Sequence, residues 1–359
     1  MINEECLKLT TYFGERDRVD DRLLADELLD IYGGHRVQTS ILLRGSEGFG
    51  RLHHLHTDRL LSLSEDLPVM SVAVDRRDRI ETLLEPLLQV KQRGLITLER
   101  ARLLTGQITA LELPTQLHAA TKLTVYVGRQ ERIGRVPAYV AVCDLLHRRG
   151  IAGATALLGV DGTRHGRRTR ATFFGRNAEV PMMILAVGDG KAIAPVLPEL
   201  GSLLHDPLLT LERVRVCKRD GELLARPHSL PQTDDAGLAM WQKLMVYTSQ
   251  AATYHGRPLN LEIIRRLRES GAAGATSLRG IWGFHGDHPP HGDRFLQLRR
   301  HVPVVTIAVD TPERTAAAFQ IIDELTAEQG LVTSEMVPAM TAMSQEQTVG
   351  GLRLANPDL

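Results

Sequence analysis

Lys8-Leu9-Thr10-Thr11-Tyr12 decides the reading of this chain, because it returns as Lys122-Leu123-Thr124-Val125-Tyr126 and as Lys243-Leu244-Met245-Val246-Tyr247. Each copy brings a frame with it. A glycine (Gly45, Gly159, Gly280) lies 33 residues after each tyrosine, and a proline (Pro68, Pro181, Pro303) opens an apolar run 22 or 23 residues later. A Thr-x-Glu follows at Thr97/Glu99, Thr210/Glu212 and Thr333/Glu335. Four markers in one order, three times over, predict three copies of one unit. The units are residues 1–105, 118–219 and 240–340, and the tail 341–359, with Gly350, Gly351 and Pro357, is expected to be flexible.

Charge and composition narrow the function classes. The 359 residues hold 43 Lys plus Arg against 43 Asp plus Glu, whereas a dedicated nucleic-acid binder carries a basic excess. Aromatic residues make up 4% of the chain, too few to build stacking platforms for single strands. No run of about 18 apolar residues is present, and Met1-Ile2-Asn3-Glu4-Glu5 lacks the basic-then-apolar character of a signal peptide. Cys6, Cys143 and Cys217 are scattered and form no C-x-x-C. A cytoplasmic protein with reduced structural thiols is the expectation.

Within repeat one, Leu7 to Phe13 alternates, with Leu7, Leu9, Thr11 and Phe13 on one face and Lys8, Thr10 and Tyr12 on the other. Asp20 or Asp21 is expected to cap a helix carrying Leu24, Leu28, Leu29 and Ile31, ended by Gly33-Gly34. Strands follow at 38–44 and 68–74. Asp75 then caps a second helix that turns Ile80, Leu83, Leu84, Leu87 and Leu88 inward, and a fourth strand runs over 95–103. Repeats two and three agree: Pro137 and Pro258 stand where the first helix opens, and Thr311-Pro312-Glu313 opens the last one. Strand-helix-strand-strand-helix-strand is the split βαβ, ferredoxin-like pattern, an α+β fold. The linkers, 105–121 and 219–242, read as polar surface connections.

Lys and Tyr four apart on the first strand share a face, as do Thr and Glu on the fourth. In the ferredoxin-like order these strands are neighbours, so each sheet carries a Lys, Tyr, Thr, Glu quartet on the face its helices leave open. Three such faces can close on one another, with Lys8–Glu99 and its equivalents as cross-strand ion pairs worth under about 1 kcal/mol each.

At this point a family is legible. Lys8-x-x-x-Tyr12-x-Gly14-Glu15, Arg44-Gly45-x-x-Gly48-Phe49-Gly50 with histidines just beyond, and Leu63-Ser64-x-Asp66-Leu67-Pro68-Val69 with Val74-Asp75 resemble the PII-like domain-of-unknown-function family 190. Repeat three matches at Arg279-Gly280-x-x-Gly283-Phe284, Val302-Pro303-Val304 and Val309-Asp310, while repeat two reads Gly162-Thr163-Arg164 at the Gly-Phe-Gly step. PII-like proteins are usually homotrimers that hold ligands between subunits and contact partners through the long loop between strands two and three. The resemblance therefore implies an intramolecular pseudo-trimer of three fused PII-like repeats. It implies a non-enzymatic sensor with a small anionic ligand, a nucleotide among the candidates. The ligand residues would be Arg44, Gly45, Gly48, Phe49, Gly50, Arg279, Gly280 and Gly283. It also implies a membrane transporter or fluoride channel as partner. Leu158 replaces the arginine in repeat two, so that corner is expected to bind weakly. One departure stands out. Where PII proteins carry a glycine-rich phosphate loop after the second helix, this chain has Gln92-Arg93-Gly94, His205-Asp206-Pro207 and Gln329-Gly330, too short for a phosphate nest. Gly188-Asp189-Gly190-Lys191 reads as a turn.

The long connections 45–67, 159–180 and 280–302 hold 8 of the 14 histidines. His53, His54, His56, His285, His288 and His291 are candidate ligands for a divalent metal, although no spacing recurs between loops. Loop two is the basic one, with Arg164, Arg167, Arg168, Arg170 and Arg176. Metal binding, an anion or partner contact, and a merely solvated polar loop all stay open here. No Ser-His-Asp or Cys-His set, catalytic carboxylate pair or cofactor fingerprint can be assembled, which leaves a nucleotide-acting enzyme as the third reading.

Overall fold

A computed structural model of the chain describes residues 2–50, 56–57, 66–90, 93–109, 112–164, 166–170, 180–285, 290–292, 302–344 and 347–356. It is a mixed α+β protein built mostly from antiparallel strands. Repeat one has strands Ile2–Gly14, Thr39–Arg44, Pro68–Arg76 and Gly94–Thr105, with helices Leu24–Gly34 and Arg77–Val90. Its first strand lies between the third and fourth, and the second lies outside the third. Repeats two and three repeat that order, starting from Thr121–Gly128 and Trp241–Ser249. The alternation sorts the side chains: Leu7, Leu9 and Phe13 pack with Leu28, Ile80 and Leu83 under the helices. On the other face, a central cluster draws Val72, Tyr126, Met183, Tyr247 and Val305 from all three repeats.

Two sets of strand pairings tie the repeats into a closed cycle. The start of each long loop pairs with the second strand of another repeat. Glu47–Phe49 joins Ala275–Arg279, Asp161–Arg164 joins Thr39–Arg44, and Trp282–His285 joins Gly153–Leu158. Running the other way, each fourth strand or its continuation reaches the next repeat's fourth strand. Residues 102–105 pair with 208–211, Arg215–Arg219 with Leu331–Val337, and Ala339–Met343 with 94–98. Gly48, Gly162 and Gly283 sit in the middle of the loop strands. A side chain there would strike the carbonyl oxygen of Ala275, Ser40 or Ala154 on the strand alongside. Close backbone approach is what these glycines serve.

Several local expectations are corrected. Residues Arg18–Val19 and Arg22–Leu23 form a hairpin whose turn includes Asp20 at φ 52°, so neither aspartate caps the first helix, which starts after Leu23. Gly33 and Gly34 lie inside that helix, and the left-handed residue beyond it is Arg36 (φ 52°), where repeats two and three have Gly150 and Gly271. Asp75 lies within the strand Pro68–Arg76 rather than capping a helix, and its carboxylate accepts from Gln38 N (2.8 Å) and Arg76 N (2.7 Å). Leu88 is exposed, because it is rotated off the Ile80–Leu83–Leu87 stripe. The first linker buries Ile108, Leu113 and Leu117 in the core of repeat two. The tail is docked through Thr348–Gly351, which pairs with Ala339–Met343, and through Ala355 N to Pro338 O (2.8 Å). By contrast, Pro137, Pro258 and Thr311-Pro312 stand at helix starts as the sequence implies, with Thr311 capping.

Candidate functional site

Register places Lys8 opposite Glu99, Lys122 opposite Glu212 and Lys243 opposite Glu335. These six side chains close into one buried ring. Lys8 contacts Glu99 (3.0 Å) and also Glu212 of repeat two; Lys122 contacts Glu212 (3.1 Å) and Glu335 of repeat three (2.5 Å). Lys243 contacts Glu335 (2.7 Å) and Glu99 of repeat one. Every ammonium thus bridges two carboxylates from different repeats. Burial is the largest influence on Lys8, Lys122, Lys243, Glu99 and Glu335 and would discharge each of them. The lysines outweigh burial at Glu99 and Glu335, which are held below the usual carboxylate value, and the carboxylates outweigh it at Lys8 and Lys243, held above the usual lysine value. Lys122, only 1% exposed, is the exception: burial prevails over Glu212 and Glu335 and lowers it. The carboxylate oxygens lie within 4.8 Å of one another, a spacing a cation could bridge, but three ammonium groups already occupy that role. Cross-strand pairing alone undervalues such a ring, because deleting one member of a buried ionic set leaves a charge without water or partner.

Beside the ring, at the end of the sheets where the first strands begin, a cleft of about 540 Å³ opens between the repeats. It is about 23 Å, seven strand residues, from the end where the long loops leave. Arg100 and Arg102 come from the fourth strand of repeat one, Arg213 and Arg215 from the corresponding stretch of repeat two, and Arg77 from the start of the second helix. Among the described residues Glu5 is the one carboxylate lining it. The hydrogen bonds of three of these arginines go to neutral groups: Arg100 to Ala355 O (2.9 Å), Arg102 to Asn3 Oδ1 (2.9 Å) and Arg215 to the His228 ring (2.7 Å). Burial, then Arg77, lowers the Arg100 guanidinium below its usual value. Burial, then Arg215 and Arg213, lowers the His228 imidazole. The fourth wall comes from repeat three, where Gln242 Nε2 donates to His228 O (3.1 Å) and Ser334 Oγ (2.9 Å). The arrangement offers planar donor forks to an oxyanion.

The residues singled out from sequence lie elsewhere. Gly45 donates its N–H to Pro68 O (2.7 Å), and Gly280 does the same to Pro303 O (2.7 Å). Gly48 and Gly283 lie in the exchanged loop strands, Gly50 follows one of them, and Phe49 is buried in the core of repeat three. Arg44 is exposed and paired with Glu15 (2.8 Å), and Arg279 ends a second strand of repeat three. Loop one therefore meets repeat three, bringing Phe49 opposite Ala275 rather than gathering a cluster of cations. His56 lies on a short strand beside Glu47–Phe49, whereas His285 pairs with Gly153 of repeat two and His291 with Gly283. His56 thus belongs to a different corner from His285 and His291; His53, His54 and His288 lie outside the described residues. Three described arginines of loop two are paired, two of them with the first helix of repeat one. Arg168 and Arg170 reach Asp26 and Asp161, Arg168 also reaches Asp30, and Arg164 reaches Glu131. Asp189 caps a short helix at Lys191 N (2.8 Å). All three cysteines are buried thiols, with Cys217 pushed up to about 12 by burial. No helix among the described residues is long and apolar enough to cross a membrane.

The cleft arginines escaped the sequence reading although a signal was present. Two repeats read Glu99-Arg100-Ala101-Arg102 and Glu212-Arg213-Val214-Arg215, while the third reads Glu335-Met336-Val337-Pro338. An Arg-x-Arg directly after the repeated glutamate, lost in one copy, marks a site outside the repeat's structural logic.

Comparison with known proteins follows the same division of the chain. Residues 6–103, 120–216 and 241–339 each match the DUF190 family, "Uncharacterized ACR, COG1993". A UPF0166 protein of Aquifex aeolicus (strain VF5) is 30% identical over 95 residues, 26% of this chain and 88% of that protein, so that relative is about one repeat long. Among solved structures, aspartate kinase from Synechocystis aligns over 96% of this chain but 45% of its own length, at 10% identity and a TM-score of 0.26. The matched spans contain every lysine and glutamate of the buried ring, and the chain belongs to domain-of-unknown-function family 190.

Proposed function

We propose that the three repeats are ferredoxin-like, PII-like units forming an intramolecular pseudo-trimer, and that the chain is a non-enzymatic regulator. Its ligand is a small anion held between repeats in the arginine-lined cleft, and its long loops carry the signal to a partner. The order of strands, fourth-first-third-second with helices on one face, supports the unit. The cyclic exchange of strands supports the pseudo-trimer. A relative one repeat long is what a separate-subunit version of such an assembly would use. The family resemblance favours a membrane transporter or channel as partner. The observation that carries the ligand is the cleft itself: five arginines against one carboxylate, three of them hydrogen-bonded to neutral groups.

Calorimetric titration with inorganic pyrophosphate at low salt tests this. We expect one site per chain, weakening as salt rises because the partly exposed cations are screened. Arg100→Ala with Arg213→Ala is expected to abolish it, while Arg44→Leu leaves it unchanged. Absence of binding, or binding that survives the double substitution, removes the cleft from the reading; loss on Arg44→Leu would return the site to the loop bases.

A further inference from the structure

Granting that anion site, its walls say more about the ligand than its charge. The third repeat breaks the pattern at the cleft. Where repeats one and two place Arg100/Arg102 and Arg213/Arg215, repeat three places Met336 and Pro338. Leu117 from the first linker, Leu230 from the second and Leu354 from the tail line the cleft as well. Its cations therefore come from repeats one and two, and an aliphatic surface is contributed by repeat three, the linkers and the tail. Among the described residues no Phe, Tyr or Trp lines it. At about 540 Å³ it falls within the 300–1,000 Å³ typical of sites that bury a whole small molecule. A bare oxyanion would leave the half-buried Met336 and Leu354 facing water. A nucleobase would find only the His228 ring, already held edge-on by Arg215, to stack on among the described lining residues.

We infer that the ligand is an oxyanion on an aliphatic body, its head held by Arg100 and Arg213 and its chain laid along Met336, Leu230 and Leu354. One site per chain is expected, because among the described residues both surfaces meet at this junction.

Affinity for a series of alkyl phosphates tests this directly. Inorganic phosphate, ethyl, butyl, hexyl and octyl phosphate are titrated below their micelle-forming concentrations, with AMP as the competing probe. Each added carbon is expected to tighten binding by about two- to fourfold, fourfold being the factor for burying a methylene fully, so octyl phosphate exceeds phosphate by at least about 250-fold. Met336→Gln with Leu354→Gln is expected to weaken octyl phosphate by about tenfold while leaving inorganic phosphate unchanged, which also shows the variant to be folded. Arginine planes can stack on bases, so AMP binding tighter than hexyl phosphate would overturn the inference. A flat chain-length series with phosphate still bound would overturn it too, leaving the anion site intact. Failure of every oxyanion to bind would instead sink the anion site itself.

Discussion

Lys122→Met is the sharpest test of the buried ring. Lys122 Nζ lies 2.5 Å from Glu335 and 3.1 Å from Glu212. At an effective dielectric of 20 each contact is worth roughly 5–7 kcal/mol of gross attraction. Several kcal/mol of desolvation per ion offsets most of it. What decides the outcome is the remainder after substitution. Three carboxylates would face two ammonium groups, and Oε1 of Glu212 and of Glu335 already has no hydrogen-bond partner among the described residues. Breaking a buried ionic set in this way costs about 3–5 kcal/mol. The relief available is to protonate one glutamate, so that its folded pKa rises above the unfolded value of about 4.3. The folded state then holds a proton that the unfolded state releases. The variant gains stability as pH falls from 7.5 toward 5, by up to about 1.4 kcal/mol per unit. Urea unfolding followed by circular dichroism at several pH values measures both quantities. Lys122→Met with Glu335→Gln restores neutrality and is expected to recover most of the loss and flatten the slope. A single variant within about 1 kcal/mol of wild type, with no acid-favouring slope, would refute the claim that the ring is dry and coupled.

The wild-type ring is expected to respond to acid in the opposite sense: Glu99 and Glu335 have depressed folded values. Their stabilisation is present above about pH 4.3 and is lost as pH falls further toward the folded values, which acid unfolding curves will show. Arg36→Gly should stabilise by about 1 kcal/mol in thermal or urea unfolding, because Arg36 holds the left-handed position occupied by Gly150 and Gly271 in the other repeats. Gly48→Val should destabilise by about 1–3 kcal/mol, because its side chain meets Ala275 O and Pro68; a melting temperature unchanged from wild type would contradict the close strand approach.

Much of the architecture was legible because repetition filters sequence noise. Lys8, Tyr12, Thr97 and Glu99 were placed on one face by strand period alone, and their register follows. What period cannot show is the partner across a repeat boundary. That Lys8 reaches Glu212, and that Phe49 enters the core of repeat three, depends on how whole units close. Gly45 and Gly48 suggested an anion loop because glycine serves backbone approach to a phosphate and to a neighbouring strand equally well. Arg36 was hidden for a different reason: two glycines upstream offered the expected helix stop, and a left-handed arginine has no sequence signature. The tail was read as loose because the strand it folds onto, Ala339–Met343, is itself held by Gly94–Leu98 of another repeat.

That last pairing has a consequence for biosynthesis. Residues 94–98 wait for 339–343, about 240 residues downstream. At roughly 5–20 residues per second of synthesis, the first repeat leaves the ribosome with an unpaired edge for about 12–50 s. Its two ring charges, Lys8 and Glu99, also lack their partners from the later repeats through much of that interval. A chain that carries its three repeats in one polypeptide spares each repeat a search for a separate partner. It exchanges that search for a long nascent stage in which an open strand edge is a template for misassembly.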